Sequence, residues 1–475
     1  MRLREFYLLL FVGLAAATPN AAQQKKAVPS APAQPDAADT CAHPYSGEGY
    51  ATGWPEGPAY VLFHREDSKK PWSRNFAVQA PGLIVASPAA ARTLVCVEEK
   101  LEEKGKYSSG EAAYKPSWAI HVLNLPDRKL YRSVSAPDFE GEDPPLLKTT
   151  PGPGIGAEPV KPFLGWLRLL VDQKVARFRF RMDWPNEVSG SEDFAGISAM
   201  AISQDGTKVA VARQSRNSAT APITVFDLVT GKPLSTLRAG WGAKHIALSA
   251  SGNLIATEGV SRSGVEIWDT STRSVVYRLD SPEPGSLAFE GEATLAVAAG
   301  GKATLWDVRT ERQLRSVPAS RVMAGPGGTL AVARRTPQAI TLNEMESGRQ
   351  MALFPLSRPI NGSDYVLSPD GSVMGYLNSG NGAMLLSGES EWQNLELPSI
   401  HIDNSSIEAI KAMAPMSNGL VFAGDGFVGV ASRGNPKPRF FATGESYVRN
   451  AAVSPDGKLL VLGSIESDLY VWELR

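Results

Sequence analysis

From residue 197 to the C-terminus, short apolar runs alternate with tight-turn sequences at a nearly regular interval. The most recognisable turn is Ser-x-Asp-Gly, found at Ser203–Gly206, Ser368–Gly371 and Ser454–Gly457. Aspartate and glycine provide the backbone angles that a tight turn between two strands needs. Ser249–Gly252 is close to this pattern, and weaker copies lie at 290–293, 325–328 and 416–419. The pattern therefore predicts seven copies of one strand–turn–strand unit.

The seven turns end at residues 206, 252, 293, 328, 371, 419 and 457, so the repeat averages about 42 residues. In the better copies, the third apolar run ends with an aromatic–acidic pair. These pairs are Phe226-Asp227, Trp268-Asp269, Trp306-Asp307 and Trp472-Glu473. A Gly/Thr turn such as Thr230-Gly231 then leads into a fourth run. Four strands in a unit of this length are typical of a propeller blade.

These residues resemble WD40-type repeats over Lys174–Arg475. The resemblance implies a WD40-like β-propeller of seven blades, of a divergent bacterial type. No copy has the Gly-His pair that precedes the first strand in that family, and copies four to six lack the Trp-Asp pair. The partners of the family are therefore not carried over to this protein.

The seventh repeat stops after its third strand, so its fourth strand must come from elsewhere. Lys174–Met182 alternates arginines with Phe178, Phe180 and Met182, as a strand with one wet face does. We predict that it pairs beside Tyr470–Leu474 and closes the propeller, which removes the open edge. The predicted fold class is all-β, with a seven-bladed propeller at 173–475 preceded by a small β-rich domain at 45–143.

Between these two parts, 144–172 is predicted to be a linker with a short helix. Its Pro-Gly-Pro-Gly-Ile-Gly segment is better explained as linker than as a phosphate-binding loop, because Pro151 and Pro153 lack the N–H donors of such a loop. Phe163–Val171 has its apolar residues on one helical face, which predicts a short amphipathic helix packed against a neighbour. In the β-rich domain, apolar runs on both sides of Pro126-Asp127-Arg128-Lys129 predict a hairpin.

The N-terminal 22 residues have the layout of a signal peptide. Arg2 and Arg4 precede the apolar run Phe6–Leu14, and small residues follow. An uncleaved anchor is the alternative, although the run is short for a membrane span. Residues 23–44 are rich in Ala, Pro and Gln and are predicted to be a disordered spacer. We therefore expect an exported protein, periplasmic or extracellular, with no integral membrane segment after cleavage.

The sequence has two cysteines, Cys41 and Cys96. In an oxidising compartment they form one disulfide, or else they are two unrelated buried thiols; the sequence leaves both possibilities open.

With 48 basic and 49 acidic residues the net charge is −1, which argues against general nucleic-acid binding. The five histidines lie singly, and no motif of a hydrolase or a zinc enzyme is present. We expect no cofactor and no metal site.

Propellers bind partners mainly through the loops from strand four to strand one and from strand two to strand three. In this protein those loops are rich in arginine and tryptophan, residue types that are enriched at binding hot spots. The candidate partner-binding residues are Arg213, Arg216, Trp241, Arg262, Arg321, Arg334, Arg335 and Arg358. They predict a face for an acidic partner, a protein or a glycan. The alternative is an ordinary solvated surface.

The function predicted from the sequence is a non-enzymatic binding or scaffold protein that uses its propeller for recognition. The alternative is a propeller enzyme, lactonase-like or glycan-cleaving, with a metal site in the central channel. That class needs several Asp, Glu, Asn or His ligands converging on the axis from different blades.

Removal of the residues from Tyr470 onward is expected to unfold the whole propeller, because the seventh blade would lose its third strand and the closing strand would lose its partner. Thermal denaturation followed by circular dichroism checks this. A truncated protein that melts like the full-length one would contradict the seven-bladed interpretation.

Overall fold

The computed structural model describes residues 37–42, 51, 54–55, 57–66, 72, 80, 82–131, 139–140, 154–155, 159–171, 174–185 and 194–475. The last range has gaps at 216–219, 241–242, 259–263, 282–283, 326–327, 357–364, 379–380, 390–392, 396–409, 417–418, 425, 434, 444–447 and 466. The predicted signal peptide lies outside the described residues.

The N-terminal part is a mixed sheet of six strands with one helix before it and one after it. The elements in order are α1 (Ala37–Ala42), β1 (Ala59–Arg65), β2 (Thr93–Lys106), β3 (Ala112–Asn124), β4 (Lys129–Leu130), β5 (Phe139–Glu140), β6 (Gly154–Ile155) and α2 (Val160–Val171). The sheet order is β1-β2-β3-β4, and β5 and β6 also pair with β3. The predicted hairpin joins β3 to β4, with the Lys129 N–H bonded to the Asp127 carboxylate at 3.1 Å.

Two segments differ from their prediction. The segment predicted to be a disordered spacer contains helix α1. The Cys41–Cys96 disulfide fastens this helix to β2. Residues Ala37 and Cys41 of the helix are buried there together with Leu62 and Leu94. Within the predicted linker, β6 pairs in parallel with Ala113 and Tyr114 of β3. Proline and glycine content gave no sign of these long-range contacts.

Strand β7 (Ala176–Met182) leads into seven four-stranded antiparallel sheets, which we number 1 to 7 along the sequence. Sheet 1 contains β8 (Phe194–Ile202), β9 (Lys208–Ser215), β10 (Thr220–Asp227) and β11 (Pro233–Gly240). Sheet 2 contains β12 (Ile246–Leu248), β13 (Leu254–Glu258), β14 (Val265–Asp269) and β15 (Ser274–Leu279). Sheet 3 contains β16 (Ser286–Glu290), β17 (Thr294–Ala299), β18 (Lys302–Asp307) and β19 (Arg312–Pro318).

Sheet 4 contains β20 (Arg321–Ala324), β21 (Leu330–Arg335), β22 (Ala339–Glu344) and β23 (Gln350–Pro355). Sheet 5 contains β24 (Tyr365–Leu367), β25 (Val373–Asn378), β26 (Asn381–Leu386) and β27 (Gln393–Asn394). Sheet 6 contains β28 (Ala412–Met416), β29 (Gly419–Gly424), β30 (Phe427–Ser432) and β31 (Asn435–Ala442). Sheet 7 contains β32 (Val448–Val453), β33 (Leu459–Ser464), β34 (Leu469–Leu474) and β7. Every predicted turn lies between the first and second strand of its sheet.

The fourth strand of sheet 7 is β7, which pairs antiparallel with β34. This is the pairing expected from the alternation of arginine and phenylalanine. Arg177 and Arg179 are exposed, as a wet face requires, whereas Arg181 is half-buried and bonded to Asp468. The two ends of the repeat region are thus hydrogen-bonded side by side.

The seven sheets are separate units rather than one continuous closed sheet, since among the described residues each strand pairs only within its own sheet. The arrangement is consistent with a propeller. First strands of neighbouring sheets contact one another, including those of sheets 7 and 1. Those of sheets 4 and 5 meet through Arg321 and Tyr365. At that junction Asn450 donates a hydrogen bond to the Ile197 carbonyl at 2.7 Å. Gly231 of sheet 1 lies so close to Phe180 of β7 that a Cβ there would be 2.6 Å from the ring.

The N-terminal sheet and helix α2 share one core with sheets 6 and 7. The apolar face of α2, which includes Phe163, Trp166 and Leu170, is fully buried in this core. Trp54 donates from its indole nitrogen to the Leu170 carbonyl at 2.8 Å and meets the Trp472 ring edge-on at 4.6 Å. The predicted helix therefore packs against a neighbour, and its neighbour is the propeller-like part as well as the N-terminal sheet.

Replacing Trp472 by alanine is expected to lower the free energy of unfolding by about 3–5 kcal/mol. The side chain is 1% exposed and contacts the rings of Trp54, Phe178 and Phe441, so its loss opens a cavity where the two parts meet. Urea denaturation measures the change. Leu314→Ala is the control, because Leu314 is 52% exposed on β19 and its loss should cost less than about 0.5 kcal/mol. Equal losses for the two variants would contradict the shared core.

Candidate binding site

A cavity of about 280 Å³ lies among the first strands of sheets 2 to 6, where a propeller has its central channel. We call the end at which the first strands begin the upper end, and the end with the turns between first and second strands the lower end. The residues around the cavity are His245, Gly285, Ser286, Arg321, Val322, Met323, Tyr365, Val366, Leu367 and Pro415. The polar ones lie at or just before the start of a first strand, so they face the upper end.

Arg321 and Tyr365 form one fixed unit between sheets 4 and 5. An N–H of the Arg321 guanidinium donates to the Tyr365 carbonyl. The guanidinium carbon lies 4.6 Å from the centre of the Tyr365 ring, a cation–π distance. The Tyr365 hydroxyl is 3.3 Å from the Ser320 hydroxyl. A flat, stacked guanidinium is well suited to recognise a planar acceptor such as a carboxylate.

Ser286 adds a second oriented polar group. Its Oγ accepts the Val322 N–H at 2.9 Å, which fixes the side chain and leaves the hydroxyl hydrogen available to donate. The remaining wall is mostly apolar and includes Met323, Val366 and Leu367. A concave apolar pocket with a few placed polar groups is the common form of a ligand site.

At the lower end, the turns of sheets 1 to 3 are bonded to one another. The Asp205 N–H donates to the Ala250 carbonyl at 3.0 Å, and the Ala250 N–H donates to the Gly291 carbonyl at 2.9 Å. The Gln204 amide reaches the Phe289 carbonyl of sheet 3 at 2.6 Å. These bonds join sheets 1, 2 and 3 at the lower end. The polar lining residues of the cavity lie at the upper end, so this is the side from which a ligand would approach.

The turn aspartates accept hydrogen bonds within their own turns, in line with the turn sequences. The Asp205 carboxylate accepts from the Ser203 hydroxyl at 2.6 Å and from the Thr207 N–H at 2.9 Å. Asp370 and Asp456 accept in the same way from Ser368 and Ser454. Partial burial raises the pKa of Asp205, but these hydrogen bonds outweigh it and the pKa is lowered. The same balance lowers the pKa of Asp456.

Among the predicted partner-binding residues that the structure describes, Arg213 differs from Arg321, Arg334 and Arg335 because it is only 7% exposed. Its Nε donates to the Ser467 hydroxyl at 3.2 Å, and its guanidinium lies 4.7 Å from the Trp184 ring centre. Burial lowers its pKa to about 10. This side chain links sheet 1 to sheet 7 rather than offering itself to a partner.

Arg321, Arg334 and Arg335 lie together at the upper end of sheet 4. In the pairing of β20 with β21, Arg321 lies opposite Ala333, the residue that directly precedes Arg334. Arg334 and Arg335 are exposed, whereas Arg321 is half-buried at the cavity. The other four candidates, Arg216, Trp241, Arg262 and Arg358, lie outside the described residues.

Ser286 and Tyr365 are not among the residues predicted from the sequence. The signal that points to them is the repeat itself: both occupy the start of a first strand, as Arg321 does. Within the described residues no group of three or more His, Cys, Asp or Glu side chains is placed to hold a metal ion. No described helix is both long and apolar enough to cross a membrane.

No protein-family model matches the sequence, and no curated protein matches it. Among solved structures, the hydrazine synthase of Kuenenia stuttgartiensis is similar, with a TM-score of 0.45 and 15% sequence identity. The match covers 61% of this protein and 98% of that one. No activity is transferred from a likeness of this strength.

Replacing Asp205 by alanine is expected to lower stability by about 1 kcal/mol at neutral pH, because the hydroxyl of the buried Ser203 and the N–H of the exposed Thr207 lose this acceptor. A lowered carboxyl pKa stabilises the fold above the unfolded value of about 3.9, and this stabilisation is lost as the pH falls through the folded value. The difference between wild type and variant should therefore shrink below about pH 4.

Urea denaturation at several pH values measures this difference. The control is Asp280→Ala, which removes an exposed carboxylate outside the turns. A difference for Asp205→Ala that stays constant down to about pH 2.5 would contradict the assigned hydrogen bonds.

Proposed function

We propose that this protein is an exported, non-enzymatic binding or scaffold module. In this proposal the seven sheets form a closed, WD40-like propeller, and its upper end recognises an acidic segment of a partner protein. The N-terminal sheet stabilises the propeller from the side of sheets 6 and 7.

Export is supported by two independent features. The N-terminal residues have the charge and apolar pattern of a signal peptide. The Cys41–Cys96 disulfide is of a kind that persists in oxidising compartments and is rare in the cytosol. The proposed location is the periplasm or the outside of the cell.

The observation that carries the binding proposal is the grouping of Arg321, Arg334 and Arg335 at the upper end of sheet 4. Two acids near the upper ends of other sheets already have basic neighbours. Asp468 is bonded to Arg181, and Glu266 lies 3.4 Å from Arg278. Arg334 and Arg335 are thus exposed on sheet 4 at this end, whereas Asp468 and Glu266 are paired within the fold; the exposed acids Asp183 and Asp280 lie beside sheets 7 and 2. Such a surface is complementary to carboxylate-rich partners.

Arg334 and Arg335 lie at the surface, which makes them suitable for a test. Arg334→Ala/Arg335→Ala removes two positive charges from the upper end. Arg309→Ala/Arg312→Ala removes two exposed charges beside the turn of sheet 3 at the lower end and is the matched control. Both variants should melt close to wild type, because single exposed substitutions change stability by about 0.5 kcal/mol or less.

The test is affinity capture from envelope extracts with wild type and both variants, followed by titration of the captured protein. We expect the upper-end variant to bind about tenfold more weakly or worse, with wild-type binding weakening as salt is raised. The lower-end variant should bind like wild type. Equal binding by all three proteins, or capture of an acidic glycan in place of a protein, would refute an acidic protein partner at this end.

A further inference from the structure

The residues that line the central cavity form a second feature of the upper end, separate from the exposed Arg334 and Arg335 of the proposed function. The polar side chains of the cavity are His245, Ser286, Arg321 and Tyr365, each of which can donate a hydrogen bond, and the described residues that line it include no carboxylate. The rest of the wall is mainly aliphatic. A ligand that fits this lining has an apolar body and a head group that accepts hydrogen bonds.

Two of these donors, Arg321 and Ser286, are held in place before any ligand arrives. Arg321 is fixed by its stacking on Tyr365 and by the bond to the Tyr365 carbonyl. Ser286 is fixed by the Val322 N–H across the junction of sheets 3 and 4. Donors fixed in advance lose little conformational freedom on binding, and a guanidinium matches the geometry of a carboxylate.

The size of the cavity limits the ligand. A volume of about 280 Å³ lies just below the roughly 300–1,000 Å³ of drug-sized sites. It has room for one short branched aliphatic group with its head group, not for a folded segment. The polar lining residues lie at the upper end, and the turns of sheets 1 to 3 are bonded together at the lower end, so the ligand enters from the upper end.

We propose that this cavity binds a carboxylate carried on a short aliphatic body, with the carboxylate at Arg321 and Ser286 and the aliphatic part beside Met323, Val366 and Leu367. Two sources offer this chemistry: a free small acid, or the C-terminal leucine-like residue of another protein. The inference goes beyond the proposed function, because the cavity can be filled whether or not Arg334 and Arg335 hold a partner.

The test uses the purified protein labelled with ¹³C at its methionine methyl groups. Met323 lines the cavity and reports on its contents, whereas Met182 is buried in sheet 7 and serves as the internal control. The probes are 4-methylpentanoate, its uncharged amide, and an acetylated peptide ending in leucine with either a free or an amidated C-terminus. Met323→Leu assigns the signal.

We expect a carboxylate probe to shift the Met323 signal and leave the Met182 signal unchanged, with the matching amide at least about tenfold weaker. A response to the free acid identifies a small-molecule site, and a response to the peptide acid alone identifies a site for the C-terminus of a protein; either supports the inference. No response to either carboxylate, or equal affinity for acid and amide, would overturn it.

Variants locate the head group. Arg321→Lys keeps the charge but loses the planar donor pair and should weaken binding about tenfold. Ser286→Ala should weaken it about threefold, and provides a milder change if the arginine variant melts early. Arg309→Ala/Arg312→Ala at the lower end is the control and should bind like wild type. Unchanged affinity in both cavity variants would overturn the assignment, whereas unchanged partner capture by Arg334→Ala/Arg335→Ala counts against the proposed function alone.

Discussion

The pairing of β7 with β34 is the contact on which the rest of the structure depends. Residues separated by nearly 300 positions become neighbours in one sheet, with Phe178 beside Trp472 and Arg181 beside Tyr470. Strand β7 covers the outer edge of β34 and so supplies the fourth strand that the seventh repeat lacks. The entropy of joining distant segments is offset by burial of large aromatic side chains at the same place.

The same strands attach the N-terminal part. Trp54, helix α2 and Phe178 meet Trp472, so the sheet that precedes the repeats and the sheet that ends them share one core. A single hydrophobic cluster therefore completes sheet 7 and fastens the N-terminal sheet to it. The upper ends of sheets 2 to 5 lie far from this cluster in sequence and are therefore available for a binding site.

Periodic features were predictable from the sequence, because a repeated turn or an alternating strand is a local pattern. The seven turns, the pairing of β7 and the hairpin after β3 are all present. The position of α1 was not predictable, since a disulfide and contacts with β1 and β2 decide it. The exposure of Arg213 was not predictable either. The residues around Arg213 resemble those around the exposed Arg334, but contacts with the Trp184 ring and Ser467 keep Arg213 buried. Tyr365 and Ser286 acquire their roles only when five sheets bring their first strands together.

Hydrogen exchange measured by mass spectrometry on the full-length protein tests the central claim most directly. If β7 and β34 complete one sheet and fasten the N-terminal part, their amides should exchange as slowly as those of α2 and β33, and all should become exposed in one cooperative step as urea is added. Fast exchange in β7 or β34 while β33 and α2 stay protected would contradict the account.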